Sequence, residues 1–221
     1  MTDAAPRVAD ARLLVVLDAD STLIQDEVIE LLADAAGSRE LVAEVTERAM
    51  RGELDFAESL RERVATLAGL PESVFAEVGD RIRPTDGVHD LISGVHEAGG
   101  VVGVVSGGFH ELLDPIGVSF GLDEWRANRL EVVDGRLTGG LVGPIIDGDA
   151  KAAALQEWAS AHGVPLHRTI AIGDGANDLT MMGVAALSVA FNAKPLVRER
   201  ASVAVDVPDL SQVLPLLGLR G

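Results

Sequence analysis

The stretch "LLVVLDADSTLIQDE" runs from Leu13 to Glu27. An apolar run ends in Asp18, and after a single alanine a second aspartate follows at Asp20. Residues two apart in a strand face the same side, so the pattern predicts that both carboxylates emerge together where the strand gives way to a loop. Like charges that close repel. The pair has a use if a cation sits between them, or if a chemical step needs one carboxylate ionised and the other carrying a proton.

The same motif, a β-branched run closed by small or acidic residues, recurs at "GVVGVVSGG" (100–108) and "TIAIGDGAND" (169–178), and "LSVAF" (187–191) reads as a further strand. Helical patterns lie between these runs. The alternation predicts an α/β fold, a Rossmann-like doubly wound parallel sheet whose ligands sit beyond the carboxyl ends of the strands. Residues 26–83 break the rhythm with helical patterns alone, at "DEVIELLADAA", "RELVAEVTERAM", "DFAESLRERVATLAG" and "LPESVFAEV", the last expected to open on Pro71. We therefore expect a small helical cap domain at 26–83, inserted after the first strand into a core of residues 1–25 and 84–221. "RLEVVDGRLTGGLVG" (129–143) reads as a hairpin turning at Asp134-Gly135. Only the first ten residues read as loosely held.

Composition sets the class of partner. The 221 residues are 48% hydrophobic and 24% charged, ordinary for a globular chain, with a net charge of −17. Nucleic acids and anionic membranes need a basic footprint, so neither is expected as a partner. Any anionic substrate must meet a local cation. Without cysteine there are no disulfides or thiolate metal centres, and no apolar run approaches the ~20 residues of a membrane span. The N-terminus lacks a secretory apolar core, and the chain reads as soluble and cytoplasmic. A homodimer is compatible with this composition.

In order and spacing, four motifs resemble the haloacid dehalogenase-like (HAD) phosphohydrolases. They are Asp18-Ala-Asp20-Ser21-Thr22, Ser106-Gly107-Gly108, Lys151 and "GDGAND" (173–178). Within that superfamily "DADSTLIQDEVIE", "GELDFAESLRERV" and "VVSGGF" are similar to the branch acting on phosphoserine. The resemblance extends from about Leu13 to Ala193. It implies hydrolysis of a small phosphomonoester, O-phosphoserine, as the last step of serine biosynthesis.

Phosphomonoester hydrolysis leaves the protein mostly positioning and charge neutralisation. Asp18 would attack phosphorus to give an aspartyl-phosphate, while Asp20 protonates the leaving oxygen and then takes a proton from the attacking water. Mg2+, a hard ion usually held by one or two carboxylates, is the expected cofactor, with Asp18 and Asp174 as side-chain ligands and, by resemblance, the carbonyl of Asp20. Ser106 and Gly107 would meet the phosphoryl oxygens, Lys151 would supply positive charge, and Asn177 an amide hydrogen bond. Asp178 is assigned to orienting Lys151 or metal-bound water. By resemblance Arg63 pairs with the substrate carboxylate and Glu27 with its ammonium; Arg61, two residues away, faces another side of the same helix. Met50 and Phe56 either close over the substrate or pack the cap.

Several of these residues have plainer readings by themselves. Ser106 would be a turn residue, and Lys151, Arg63 and Glu27 solvated helix positions. Their place in the ordered set argues otherwise. His89, His96, His110, His162 and His167 show no metal-ligand spacing and read as structural or surface residues. Three alternative functions share much of the pattern: a phosphotransferase to an acceptor such as homoserine, another small-metabolite phosphatase of the superfamily, and a receiver-like phospho-aspartate switch. The helical insertion and the second aspartate count against the switch.

Overall fold

Leu14, Val15, Val16 and Leu17 are all fully buried, and consecutive residues enter opposite cores. Val15 and Leu17 face one apolar cluster, Leu14 and Val16 the other. A strand buried on both faces reads as a continuous apolar run, which is why the opening stretch shows no polar alternation. It forms β1 (Leu14–Leu17). The computed structural model describes residues 11–51 and 53–219, the side chain of Met50 excepted. The N-terminal ten residues read as loosely held lie outside the described residues.

After β1 the chain makes a tight turn over Ala19–Leu23, then four helices: α1 (Val28–Ala36), α2 (Arg39–Met50), α3 (Phe56–Ala65) and α4 (Val74–Gly79). The alternating part follows as α5 (Val88–Glu97), β2 (Val101–Phe109), α6 (His110–Phe120), β3 (Glu124–Val133), β4 (Arg136–Val142), α7 (Gly148–Ala161), β5 (Thr169–Gly173), α8 (Leu179–Val184), β6 (Leu187–Phe191), α9 (Pro195–Arg200) and β7 (Val203–Val205). A 3₁₀ stretch, Leu210–Leu217, closes the described chain.

The seven strands form one sheet in the order β4-β3-β2-β1-β5-β6-β7, parallel except for the antiparallel β3–β4 hairpin. Asp134 and Gly135 turn that hairpin with φ of 50° and 71°, the left-handed pair that a two-residue turn needs. One face is covered by α5 and the 3₁₀ stretch, the other by α7, α8 and α9. Leu17 pairs with Val104 on one side and Ile172 on the other, so β1, β2 and β5 deliver their following residues to the same edge. This is the switch point of a doubly wound sheet, where a crevice opens.

The four helices between β1 and α5 leave and rejoin at neighbouring points. Ile24 bridges Pro84, and Arg83 holds Asp26 through its backbone N–H at 2.8 Å and its guanidinium at 2.7 Å. Their apolar faces share a third cluster with Phe109, Leu112, Leu130 and Leu137, so they rest on β2, α6 and the hairpin. Pro71 does not open α4. It bridges Arg136, and the Glu72 N–H donates to the Gly135 carbonyl, so the segment is pinned to the hairpin and the helix begins three residues later at Val74.

Helix α7 packs tightly on the sheet at Gly103 of β2. A Cβ there would lie 2.8 Å from two ring atoms of Trp158 on α7. Gly103→Ala is expected to cost about 1–3 kcal/mol, the range for overpacking a filled core, seen as a lower urea midpoint with an unchanged slope. An unchanged midpoint would contradict the contact.

Candidate active site

Asp18 extends the β1–β5 ladder by one bond, its N–H donating to Ile172 at 2.9 Å. Its Oδ1 accepts from the Ala19 N–H at 2.7 Å, and the carboxylate is almost wholly buried. The two aspartates are not aligned by strand alternation, because β1 ends at Leu17 and the chain turns at once. Ser21 takes a left-handed φ of 58° in that turn. Asp20 Oδ2 accepts from the Val28 N–H at 3.1 Å, whereas its Oδ1 is buried with no hydrogen-bond partner among the described residues. Turn geometry, rather than pleat, brings both carboxylates to one cavity of about 420 Å3.

Lys151 is fully buried in the first turn of α7. The Asp147 side chain caps that helix by accepting from the Ala150 N–H at 2.9 Å, which sets the rotation that turns Lys151 inward. Its ammonium lies 2.7 Å from Asp18 Oδ1 and 2.8 Å from Asp178 Oδ1. Asp178 Oδ2 accepts from the Gly175 N–H at 3.0 Å. Of the two roles considered for Asp178, the geometry is that of orienting Lys151. Burial acts to neutralise the ammonium, and the two carboxylates outweigh it and hold it charged.

One oxygen each from Asp18, Asp174 and Asp178 lies within 4.8 Å of the others. Burial, then Asp178, pushes the Asp18 carboxyl up to about 7 against the pull of Lys151, and burial pushes Asp174 up to about 6. Burial, then Glu27 and Asp18, raises Asp20 well above the carboxylate range. Both Asp178 oxygens are engaged, while no hydrogen bond among the described residues reaches the Asp174 side chain. Asp18 and Asp174 therefore offer hard oxygens to a divalent cation, a donor set that fits the ion type. The Asp20 carboxylate is not part of this trio.

Ser106, in β2, is buried behind the cavity, and its Oγ accepts from the Gly108 N–H at 2.8 Å, which leaves the hydroxyl hydrogen free to donate. Gly107, Asn177, Glu27, Arg63 and Phe56 all line the cavity. The Phe56 ring lies 3.0 Å from where a Cβ on Gly107 would stand, so it leans over that wall. A capping box between Asp55 and Glu58 starts α3 and fixes which of its faces looks in. That face carries Ser59 and Arg63, whereas Arg61 lines a separate hollow beside Gly139 and Gly140. Burial lowers the Arg63 guanidinium pKa, opposed by Glu27 and Asp20. The side chain of Met50 lies outside the described residues.

Two residues at the site escaped the sequence reading. The Ser21 hydroxyl donates to Glu27 Oε1 at 2.7 Å and holds that carboxylate, and Lys194 lines the cavity mouth from the loop before α9. Neither has a distinctive spacing. His110 is structural, bonded to Asp114 at 2.7 Å and accepting from the Ala127 N–H.

Residues 15–183 match the haloacid dehalogenase-like hydrolase family, and the chain belongs to it; its sheet order and carboxylate cluster agree. Within that family it is similar to proteins named phosphoserine phosphatase. It is 50% identical to the phosphoserine phosphatase of Streptococcus thermophilus, over 95% of this chain and 98% of that one. It is 57% identical to that of Streptomyces coelicolor over 95% of this chain, but spans about half (51%) of that longer relative. A solved phosphoserine phosphatase holding a phospho-aspartyl intermediate analogue superposes with a TM-score of 0.88 at 41% identity, covering 93% of this chain and 99% of that one. Among the described residues no helix is long and apolar enough to cross a membrane.

The raised carboxyls set a pH dependence. Unfolded aspartates ionise near ~4, whereas Asp18 and Asp174 in the metal-free fold hold their protons to about 7 and about 6. Through that window the unfolded chain binds fewer protons, so metal-free stability falls as pH rises. A divalent cation binds the ionised forms, so its addition after chelation should raise Tm clearly at pH 8 and little at pH 5. An equal gain at both, or none, would contradict the assignment.

Proposed function

We propose that the chain hydrolyses O-phospho-L-serine to serine and phosphate with Mg2+ as cofactor, in the cytoplasm, as the last step of serine biosynthesis. The observation that carries this reading is one cavity with the Asp18–Asp20 pair on its floor and Arg63 and Glu27 in its wall. The floor suits a phosphoryl group, and the wall offers a cation and an anion to the two charges of an amino acid. Similarity to proteins named phosphoserine phosphatase supports the same substrate.

Asp18 attacks phosphorus as the bond to the serine oxygen breaks, leaving the phosphoryl group on its carboxylate. Asp20, kept protonated by burial and by Glu27 and Asp18, gives its proton to that oxygen. In the second half Asp20 takes a proton from water as that water attacks phosphorus, and Asp18 leaves as carboxylate. Lys151 spends two of its three N–H groups on Asp18 and Asp178, so one remains for a phosphoryl oxygen. The Ser106 hydroxyl and the Asn177 amide supply further donors. Asp18, Asp174 and the Asp20 carbonyl would hold Mg2+, which would supply neutralisation of phosphoryl charge. Residues 26–83 act as a cap domain, with Phe56 excluding water from the reacting groups.

Asp18→Asn should keep the fold and lose nearly all phosphate release; a variant retaining a large fraction of turnover would mean that another group attacks. The wall is tested by comparing substrates. Arg63→Ala and Glu27→Gln should each lower kcat/KM on phosphoserine by about 10- to 150-fold, the worth of one charge-assisted hydrogen bond, and spare nitrophenyl phosphate. Arg61→Ala, on the separate hollow, should do little. Equal losses on both substrates would point to folding or cap closure, and a larger selective effect from Arg61 would reverse the assignment.

A further inference from the structure

A chain of net charge −17 must draw in a substrate whose phosphate is a dianion. The cavity makes this harder, since Asp18, Asp20, Glu27 and Asp174 all line it. Among the described residues its lining holds two cations, Arg63 and Lys194. Arg63 stands in the wall beside Glu27 and Asp20 and is partly buried. Lys151 is fully buried and committed to Asp18 and Asp178. That leaves Lys194, whose side chain is 70% exposed, as the cation that a phosphate meets on approach.

Its backbone and side chain are held differently. The Lys194 N–H donates to the Asp174 carbonyl at 3.1 Å, which ties its Cα to the loop that bears the candidate metal ligand. Its ammonium lies 3.7 Å from Asp174 Oδ2, close enough for attraction but beyond hydrogen-bond distance. All three N–H groups thus remain available on a flexible stem with a fixed root. A divalent cation on Asp174 would take over the neutralisation of that carboxylate and repel the ammonium toward an incoming anion.

We infer that Lys194 is the capture residue for the phosphate dianion, steering it past the carboxylate rim and releasing it to the buried donors. This rests on the phosphatase reading given above. It concerns the phosphate alone, so it applies to any phosphomonoester that fits the cavity. Lys194 acts on arrival and leaves the chemical step to Asp18 and Asp20.

The experiment measures kcat and kcat/KM of the Mg2+-loaded protein and of Lys194→Gln, Lys194→Arg and Arg168→Gln across ionic strength, with phosphoserine and with nitrophenyl phosphate. Arg168 precedes β5, at the opposite edge of the sheet from the cavity, and Arg168→Gln removes the same net charge. Lys194→Gln should lower kcat/KM about 10-fold at low salt on both substrates with kcat nearly unchanged. The gap should close to less than about 2-fold near 1 M salt, where the screening length is about 3 Å. Lys194→Arg should restore the wild-type salt slope, and Arg168→Gln should keep it. A second readout needs no turnover: calorimetric titration of the metal-free protein should show Lys194→Gln binding Mg2+ several-fold more tightly than wild type, because a competing charge has gone. A salt-independent loss, a fall mainly in kcat, the same effect from Arg168→Gln, or unchanged Mg2+ affinity would each overturn the inference. Failure of the phosphatase reading would look different, as no turnover of either substrate by the unaltered protein.

Discussion

The ammonium of Lys151, sealed between Asp18 and Asp178, ties together the three parts of the chain on which the site is built. Asp18 follows β1, Lys151 opens α7, and Asp178 follows the loop after β5. A buried ion pair is a weak source of net stability, because desolvation of both partners offsets much of their attraction, but losing one partner leaves a stranded charge at a cost of about 3–5 kcal/mol. The trio therefore acts as a constraint on geometry. It fixes the Asp18 carboxylate relative to the sheet edge and keeps a positive charge beside it, where the proposed attack would build phosphoryl charge.

Once that trio is set, the two aspartates of the opening motif diverge in chemistry. Asp18 has a cation at 2.7 Å and a candidate metal position beside it, both of which favour its ionised form. Asp20 has burial, Glu27 and Asp18 against ionisation, and an oxygen with no partner of its own. Burial raises both carboxyls. Lys151 and a bound cation would return Asp18 to its ionised form, while burial, Glu27 and Asp18 keep Asp20 protonated, and in the proposed mechanism that difference divides attack from proton transfer. Ser21 extends the same turn toward the cavity wall, since its hydroxyl bonds Glu27 while its backbone carries the left-handed kink after Asp20.

Much of this was legible in the sequence because parallel strands buried on both faces read as plain apolar runs, and the residues that end them stand out. The strand at 187–191 and the turn at Asp134-Gly135 lie where their patterns put them. What stayed hidden depends on tertiary packing. Nothing in "DGDAKAAAL" distinguishes a lysine at the surface from one with no exposed area, because the rotation of α7 is set by the Asp147 cap and by the packing of Trp158 on Gly103. Pro71 looked like a helix start because the bridge to Arg136 joins residues far apart in the chain. Lys194 sits in an unremarkable loop, and only the sheet order brings it to the cavity.

The central claim is that Asp18 carries the phosphoryl group between two chemical half-reactions. It is tested most directly by mixing the Mg2+-loaded protein with phosphoserine labelled in its phosphate, quenching in acid within milliseconds, and mapping the label by peptide. The account predicts an acid-stable, base-labile label on the peptide containing Asp18, appearing before free phosphate and decaying as phosphate is released. Label on any other residue, or phosphate released from the first time point with no labelled protein at any stage, would contradict it.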